Sequence, residues 1–448
     1  MKPYGWGGID METGWTELDA VHLLNRTTFR VSPQDVEAAL SLGKEETVNR
    51  LVDGMPLSGE KRPVVPLEEL NADGKPLMSD NITDEQTYWL YRMAVSDEPL
   101  FEKMTLFWHD HFATSYRKVR DVRLMRRQNE LFRRLALGSF HELVLEVGRD
   151  PAMMIWLDAN SNKKGKPNEN YAREVMELFT LGIGNYTEQD VREAARAFTG
   201  WGYDRNSGKT AFAPKQHDTG VKQVLGEKGN FDESSVVDVL FRQKALAPFM
   251  ARKLLNEFGT PNPPETWVAR VAADFAEKET VREVLRALLL SDEFYKPEYR
   301  QTIVKSPAEY VAGILRALEI PPSKSFIASM RKMGQELYLP PDVAGWDGGA
   351  EWLIASSLLT RSQFAESISK RIKNTFFVSD SYVPERKDKA EAWVDLWSRN
   401  AGVWGLGEQS RKVLAKFADD TFVHASSKMN GMRGLLQLIL ICPEAQMK

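Results

Sequence analysis

Apolar residues recur at helical spacing along most of this chain, and Gly and Pro interrupt them at short intervals. That pattern constrains the fold more than any other feature, because it calls for many short amphipathic helices packed on one another. Helices are expected near 16–27 and 32–42. Ser32-Pro33 supplies a cap followed by proline in the first turn, and Gly43 supplies the exit. Residues 54–80, rich in Pro, Gly and charge, read as a long surface loop. Helical spacing returns over 84–96, over 99–113, along a long basic stretch at 117–137, and from Ser139. The 169–181 segment ends at Gly182. Thr187, with Asp190 three residues on, makes a capping box for a helix that Gly200 ends. Residues 202–232 lose the helical period, and a small hairpin or an ordered loop is expected near 210–226, turning at Asp218-Thr219-Gly220. Helices resume near Glu233 and continue past proline-rich breaks to the C-terminus. The fold class is therefore mainly α. We expect one helical domain over 1–448, with N-terminal helices at 16–145, a motif-bearing core at 150–232 and C-terminal helices at 233–448.

Composition narrows the function classes. A net charge of −4 speaks against a globally basic nucleic-acid binder, so nucleic acid is an unfavoured partner. The single cysteine, Cys442, excludes an intramolecular disulfide and a thiolate zinc cluster, and its apolar setting at 435–442 marks a core residue. No stretch reaches the roughly 18–20 apolar residues of a membrane helix. Met1 to Trp6 shows no charged region leading into an apolar run, so no secretory signal is read and a cytoplasmic location is expected.

Five features could carry chemistry. Trp108-His109-Asp110-His111-Phe112 places two of the six histidines two residues apart. On a helix they diverge by about 200°, so His111 is expected to face the core with Met104 and Trp108 while His109 faces away. In the helix beginning at Asn168, residues Asn170, Arg173, Glu174, Glu177 and Leu181 fall within one arc of about 80–100°, opposite Tyr171, Val175 and Phe179. Glu174 and Glu177 can share a cation or raise one another's pKa as an acid–base pair, whereas Arg173 and Glu177 also make an ordinary i, i+4 ion pair on a solvated face. His217-Asp218 lies in the one long non-helical segment, where Asp218 equally suits a turn. Arg120, Arg123, Arg127 and Arg134 form a stripe suited to phosphate, sulfate or carboxylate, or else paired with acidic neighbours. The turn at 340–349 presents Trp346, a platform for a flat ligand or simply buried packing.

Taken in order, these segments resemble one bacterial family, catalogued as domain of unknown function 1800. The resemblance runs from His22-Leu23-Leu24-Asn25-Arg26 through the 103–113 motif, Asp150-Pro151, and Asn168-Glu169-Asn170-Tyr171-Ala172-Arg173-Glu174. It continues through Gln216-His217-Asp218-Thr219-Gly220, Lys305-Ser306-Pro307 and Pro341 to Trp346. It implies a largely helical fold, and it places the polar residues above inside shared motifs. Relatives often stand beside a sulfatase-like companion, which implies an anionic-polymer context, and many carry export signals that this chain lacks as written.

Two functions are open on these grounds. One is a metal-dependent hydrolase of an anionic polymer or glycan, with His109 and His111 as ligands of zinc, manganese or iron. Glu174, Glu177, His217 and Asp218 would then be catalytic, and Asn168, Asn170, Arg173, Arg120, Arg127 and Trp346 would hold substrate. The other is a non-catalytic binding or assembly protein that docks a partner through the arginine stripe and the Trp346 turn.

Overall fold

A computed structural model describes residues 14–59, 63–204, 207–373, 376–378, 382–423 and 428–448. The Met1–Trp6 stretch read for a signal lies outside these residues. Twenty-one α-helices and three two-stranded antiparallel hairpins occur among the described residues. None of those helices is long and apolar enough to cross a membrane.

Local chemistry explains most of the helix starts. Capping boxes begin helices Glu17–Thr27 (Thr16 with Asp19), Pro33–Leu42 (Ser32 with Asp35), Glu188–Ala197 (Thr187 with Asp190) and Val281–Leu290 (Thr280 with Glu283). Each such box satisfies two backbone donors that the first turn leaves unpaired. Among its described residues, the expected 54–80 loop is irregular apart from a 3₁₀ turn at Leu67–Glu69 and a hairpin that pairs Asn71–Ala72 with Lys75–Pro76.

Two expectations are corrected. The long basic helix at 117–137 is two helices, Tyr116–Val119 and Val122–Arg134, because Arg120 takes a left-handed conformation (φ 54°) and Asp121 caps the second. The expected hairpin at 210–226 is replaced by two hairpins that share no ladder. Trp201–Asp204 pairs back with Lys209–Phe212, and Lys222–Val224 pairs forward with Glu227–Gly229. The Asp218 bend links the two sheets and closes neither; its carboxylate accepts both the Gly220 amide and Arg196.

The interior falls into two large apolar clusters. Helix Pro99–His111 runs along their boundary. Leu100, Met104 and Trp108 belong to one cluster and Leu106 to the other. Trp108 is fully buried and donates from Nε1 to Ala136 O at 2.9 Å, so its polar handle is satisfied inside the core. Each apolar side chain buried this way contributes roughly 1.5–3 kcal/mol. Because both flanks of the helix are covered, its polar residues are also taken out of solvent.

Candidate functional site

Three consecutive residues at the end of helix Pro99–His111 meet three different chain segments. Successive residues on a helix diverge by about 100°, so His109, Asp110 and His111 point in three directions. His109 is 1% exposed, not turned away from the core as its spacing suggests, because the second apolar cluster covers that face. Its Nε2 accepts the Tyr338 amide at 3.1 Å, and its ring lies 5.3 Å from Trp89 and 5.6 Å from Trp346. Burial lowers its pKa to about 3, which keeps the imidazole neutral and Nε2 able to accept.

Asp110 accepts the Trp346 amide at 2.8 Å through Oδ1. Gly345 makes this approach feasible. Its φ is +90°, and a Cβ there would overlap Asp110 Oδ1 and stand 2.7 Å from Asp110 O. Burial pushes the Asp110 carboxyl up to about 6, opposed by the Trp346 amide and Lys253. His111 donates from Nε2 to Phe179 O at 3.0 Å, and its Nδ1 is buried without a partner. Burial, with the Lys253 charge adding to it, holds His111 well below the ordinary histidine pKa. The Trp346 turn is thus fixed through its backbone, and its half-buried ring packs on His109.

The Asn168 segment begins as an α-helix at Asn170–Glu174 and widens into a π-helix at Val175–Thr180. Tyr171, Val175 and Phe179 are buried as their spacing predicts, but Leu181 is also buried and leaves the polar strip. Asn168 shapes the entry: its Oδ1 accepts the Asn170 amide at 2.9 Å and its Nδ2 reaches Ser161 Oγ at 2.7 Å. Asn170 is exposed. Arg173 forks onto Glu188 at 2.7 and 2.8 Å rather than onto Glu177. Glu177 instead accepts the Tyr186 hydroxyl. Burial and the neighbouring Glu177 charge raise Glu174 above the ordinary glutamate value.

His217 and Asp218 are tied to the end of helix Glu188–Ala197. His217 Nδ1 lies 2.8 Å from Thr199 O. Asp218 accepts from Arg196 at 2.8 Å and from the Gly220 amide at 2.8 Å, and Arg196 above all holds it down to about 2. Arg120 and Arg127 are both exposed. Arg120 donates to Arg117 O at 3.2 Å, and Arg127 donates to Gly208 O at 3.0 Å.

The histidines do not converge with the glutamates: His109, His111 and His217 each bond a different backbone segment, while Glu174 and Glu177 remain neighbours of one another. Among the described residues no group of three or more His, Cys, Asp or Glu could hold a metal ion. Among the described residues no such set of donors is gathered about His109 and His111, the ligands expected for zinc, manganese or iron. Geometry instead brings in residues that spacing did not single out. Lys253 lies half-buried beside Asp110, with its pKa lowered by burial. Beyond it, Lys103 and Lys448 both reach the buried Glu309 at 2.6 Å, and Lys448 also reaches Glu257 at 2.5 Å. A lysine among the apolar residues of 100–108 was the available signal for this network.

Residues 22–447 match the family described as Protein of unknown function (DUF1800), and the chain belongs to it. No curated protein and no solved structure matches.

Proposed function

From this family membership and the site geometry, we propose that the chain is a non-catalytic binding protein for an anionic polymer, docked across one basic face. The observation that carries the reading is an excess of exposed cations on a protein whose net charge is −4. Lys118 holds Trp156 O and Asp158, Asn160 exchanges hydrogen bonds with Tyr203, and Arg127 holds Gly208 O. These bonds join helices Tyr116–Val119 and Val122–Arg134, the 156–160 segment and the Trp201–Phe212 hairpin into one surface. Arg117, Arg120, Arg123 and Arg127 are exposed on it, and Lys163, Lys164, Lys166 and Lys209 extend it. Of its acids, Asp121 pairs with Arg123 and Asp158 with Lys118, while Glu130 and Asp204 are also exposed, so cations still outnumber acids. Guanidinium forks spaced along a surface suit repeated sulfate, phosphate or carboxylate groups.

The other half of the arginine-rich helix supports the same division. Arg126 pairs with Glu85, and Arg133 with Glu102 at 2.7 Å, so these two serve the interior. The test is anisotropy of a labelled heparin fragment titrated with the whole chain at low and high salt. Arg120→Glu with Arg127→Glu should weaken binding about tenfold or more at low salt. Added salt should erase most of the affinity. Unchanged affinity in the double variant, or no salt dependence, would sink the proposal. Tighter binding of duplex DNA than of heparin would move it to nucleic acid.

A hydrolytic reading draws support from one place, the half-buried Glu174–Glu177 pair and the raised Glu174. Metal content by mass spectrometry, beside Glu177→Ala, tests it. Near-stoichiometric metal that the substitution removes would displace the binding-only reading.

A further inference from the structure

A groove of about 490 Å³ opens on a part of the surface that none of the sequence motifs reaches. It lies between the start of helix Phe140–Gly148, the turn joining Glu233–Phe241 to Leu246–Phe258, and the junction of Glu265–Glu277 with Val281–Leu290. Its floor is aromatic. Phe140, buried at the back, stands 5.6 Å from the half-buried Phe241 and 5.7 Å from the half-buried Phe275, centroid to centroid.

The rim is cationic. It carries Arg242, Lys244 and Lys278 against Glu279. Arg242 and Lys278 are engaged with Glu227 at 2.6 Å and Asp274 at 3.5 Å, and His141 with Asp238 at 2.8 Å. Lys244 is exposed and pairs with no acid among the described residues. Three helices begin at this rim, and their positive ends add to the same sign of potential.

We infer that the groove binds a small amphipathic anion: a carboxylate whose apolar body lies on Phe140, Phe241 and Phe275 and whose head meets Lys244. The volume falls within the range of small-molecule sites, and the groove sets an aromatic floor beneath a polar, charged rim. Charge complementarity selects the head group, since an uncharged ligand of the same shape would leave the Lys244 ammonium unused. The acidic polymer proposed for the basic face has no apolar body to cover an aromatic floor, so the two surfaces take different chemistry.

Titration calorimetry of the whole chain with dodecanoate below its micellar range, beside dodecan-1-ol, tests this. Dodecanoate should bind saturably at one site. Ala247→Trp, which fills the groove, should weaken both ligands more than about tenfold. Lys244→Glu should weaken dodecanoate about threefold to tenfold and leave the alcohol unchanged. Lys244 is exposed, so this second variant carries the test even where Ala247→Trp fails to fold. Unsaturable dodecanoate binding, binding that a folded Ala247→Trp variant leaves intact, or equal losses for acid and alcohol in Lys244→Glu would overturn the inference.

Discussion

Replacing Asp110 by asparagine keeps an oxygen where the Trp346 amide is accepted, 2.8 Å from Oδ1, and removes only the charge. Burial holds this carboxyl at about 6, against an ordinary value of 3.8. A group whose folded pKa lies above its unfolded value lends stability that is fully present below the unfolded pKa. That stability is lost as pH rises through the folded one. For Asp110 the window therefore runs from about pH 4 to just above pH 6. At 1.36 kcal/mol per pH unit the displacement corresponds to about 3 kcal/mol. This is an upper bound, because the residue keeps a partly exposed edge. Asp110→Asn does not ionise, so relative to the native chain it should gain up to about 3 kcal/mol between about pH 4 and pH 8. Loss of the attraction to Lys253, whose ammonium Asp110 supports, trims that gain. Urea unfolding followed by tryptophan fluorescence across this range supplies the difference between variant and native chain. Burial also raises Asp150 and Glu233 to about 7, but both titrate in both proteins and drop out of the comparison. A stability difference that is flat with pH, or one that turns against asparagine as pH rises, would refute the reasoning. It would mean that Lys253 repays the cost of burying the charge.

The same junction and the buried ion network yield two further expectations. Gly345→Ala forces a Cβ against Asp110 O and Oδ1 at φ +90°, and should lower stability by about 2–4 kcal/mol, read as a drop in Tm. A loss within a few tenths of a kcal/mol would show that the turn is free to move off Asp110. Glu309→Gln strips the carboxylate from Lys103 and Lys448, both at 2.6 Å, and should cost about 3–5 kcal/mol near pH 7. The cost should shrink toward pH 10, because burial, against the Glu309 charge, holds Lys103 at about 8 and the lysine sheds its proton there. Equal losses at both pH values would mean that the network is held by packing rather than charge.

Helix starts were legible because caps are local: Thr187 and Asp190 lie three residues apart, and their reciprocal bonds need nothing from elsewhere in the chain. The buried face of Tyr171, Val175 and Phe179 was legible for the same reason, since one helix fixes its own angles. The widening to a π-helix at Val175 was not, and it follows Thr180 reaching back to Val175 O. Hairpin pairing failed where a long-range partner intervened. The bend at Asp218 is local and keeps its Gly220 bond, but the direction the chain takes past it depends also on Arg196, twenty-two residues earlier, which shares the carboxylate. One helix taken alone turns His109 to solvent, and it is chiefly the second apolar cluster, built largely from residues after 300, that covers it. The members of the candidate site were legible as motifs. Their separation was not, because spacing along a chain says nothing about which distant backbone amide an imidazole will meet.

The run His109-Asp110-His111 bears on how such motifs are read. Polar side chains inside a helical interior serve chemistry or architecture, and both uses demand the same residue types. What separates them is the kind of atom each group meets. Here the partners are two backbone amides, at Tyr338 and Trp346, and one backbone carbonyl, at Phe179. Bonds of that kind fix where segments lie, and truncating any one of the three to alanine leaves a backbone group unpaired in a dry interior at a cost of about 1–3 kcal/mol. Such residues would resist change in any descendant of this fold whether or not the protein catalyses anything. Groups that recognise a ligand must instead keep an atom uncommitted and reachable. In this run His111 Nδ1 lacks a partner, and it is buried. Arg117, Arg120 and Lys244 keep their charges exposed. On the binding reading proposed above, recognition is to be sought on those two surfaces, with His109, Asp110 and His111 as part of the frame behind them.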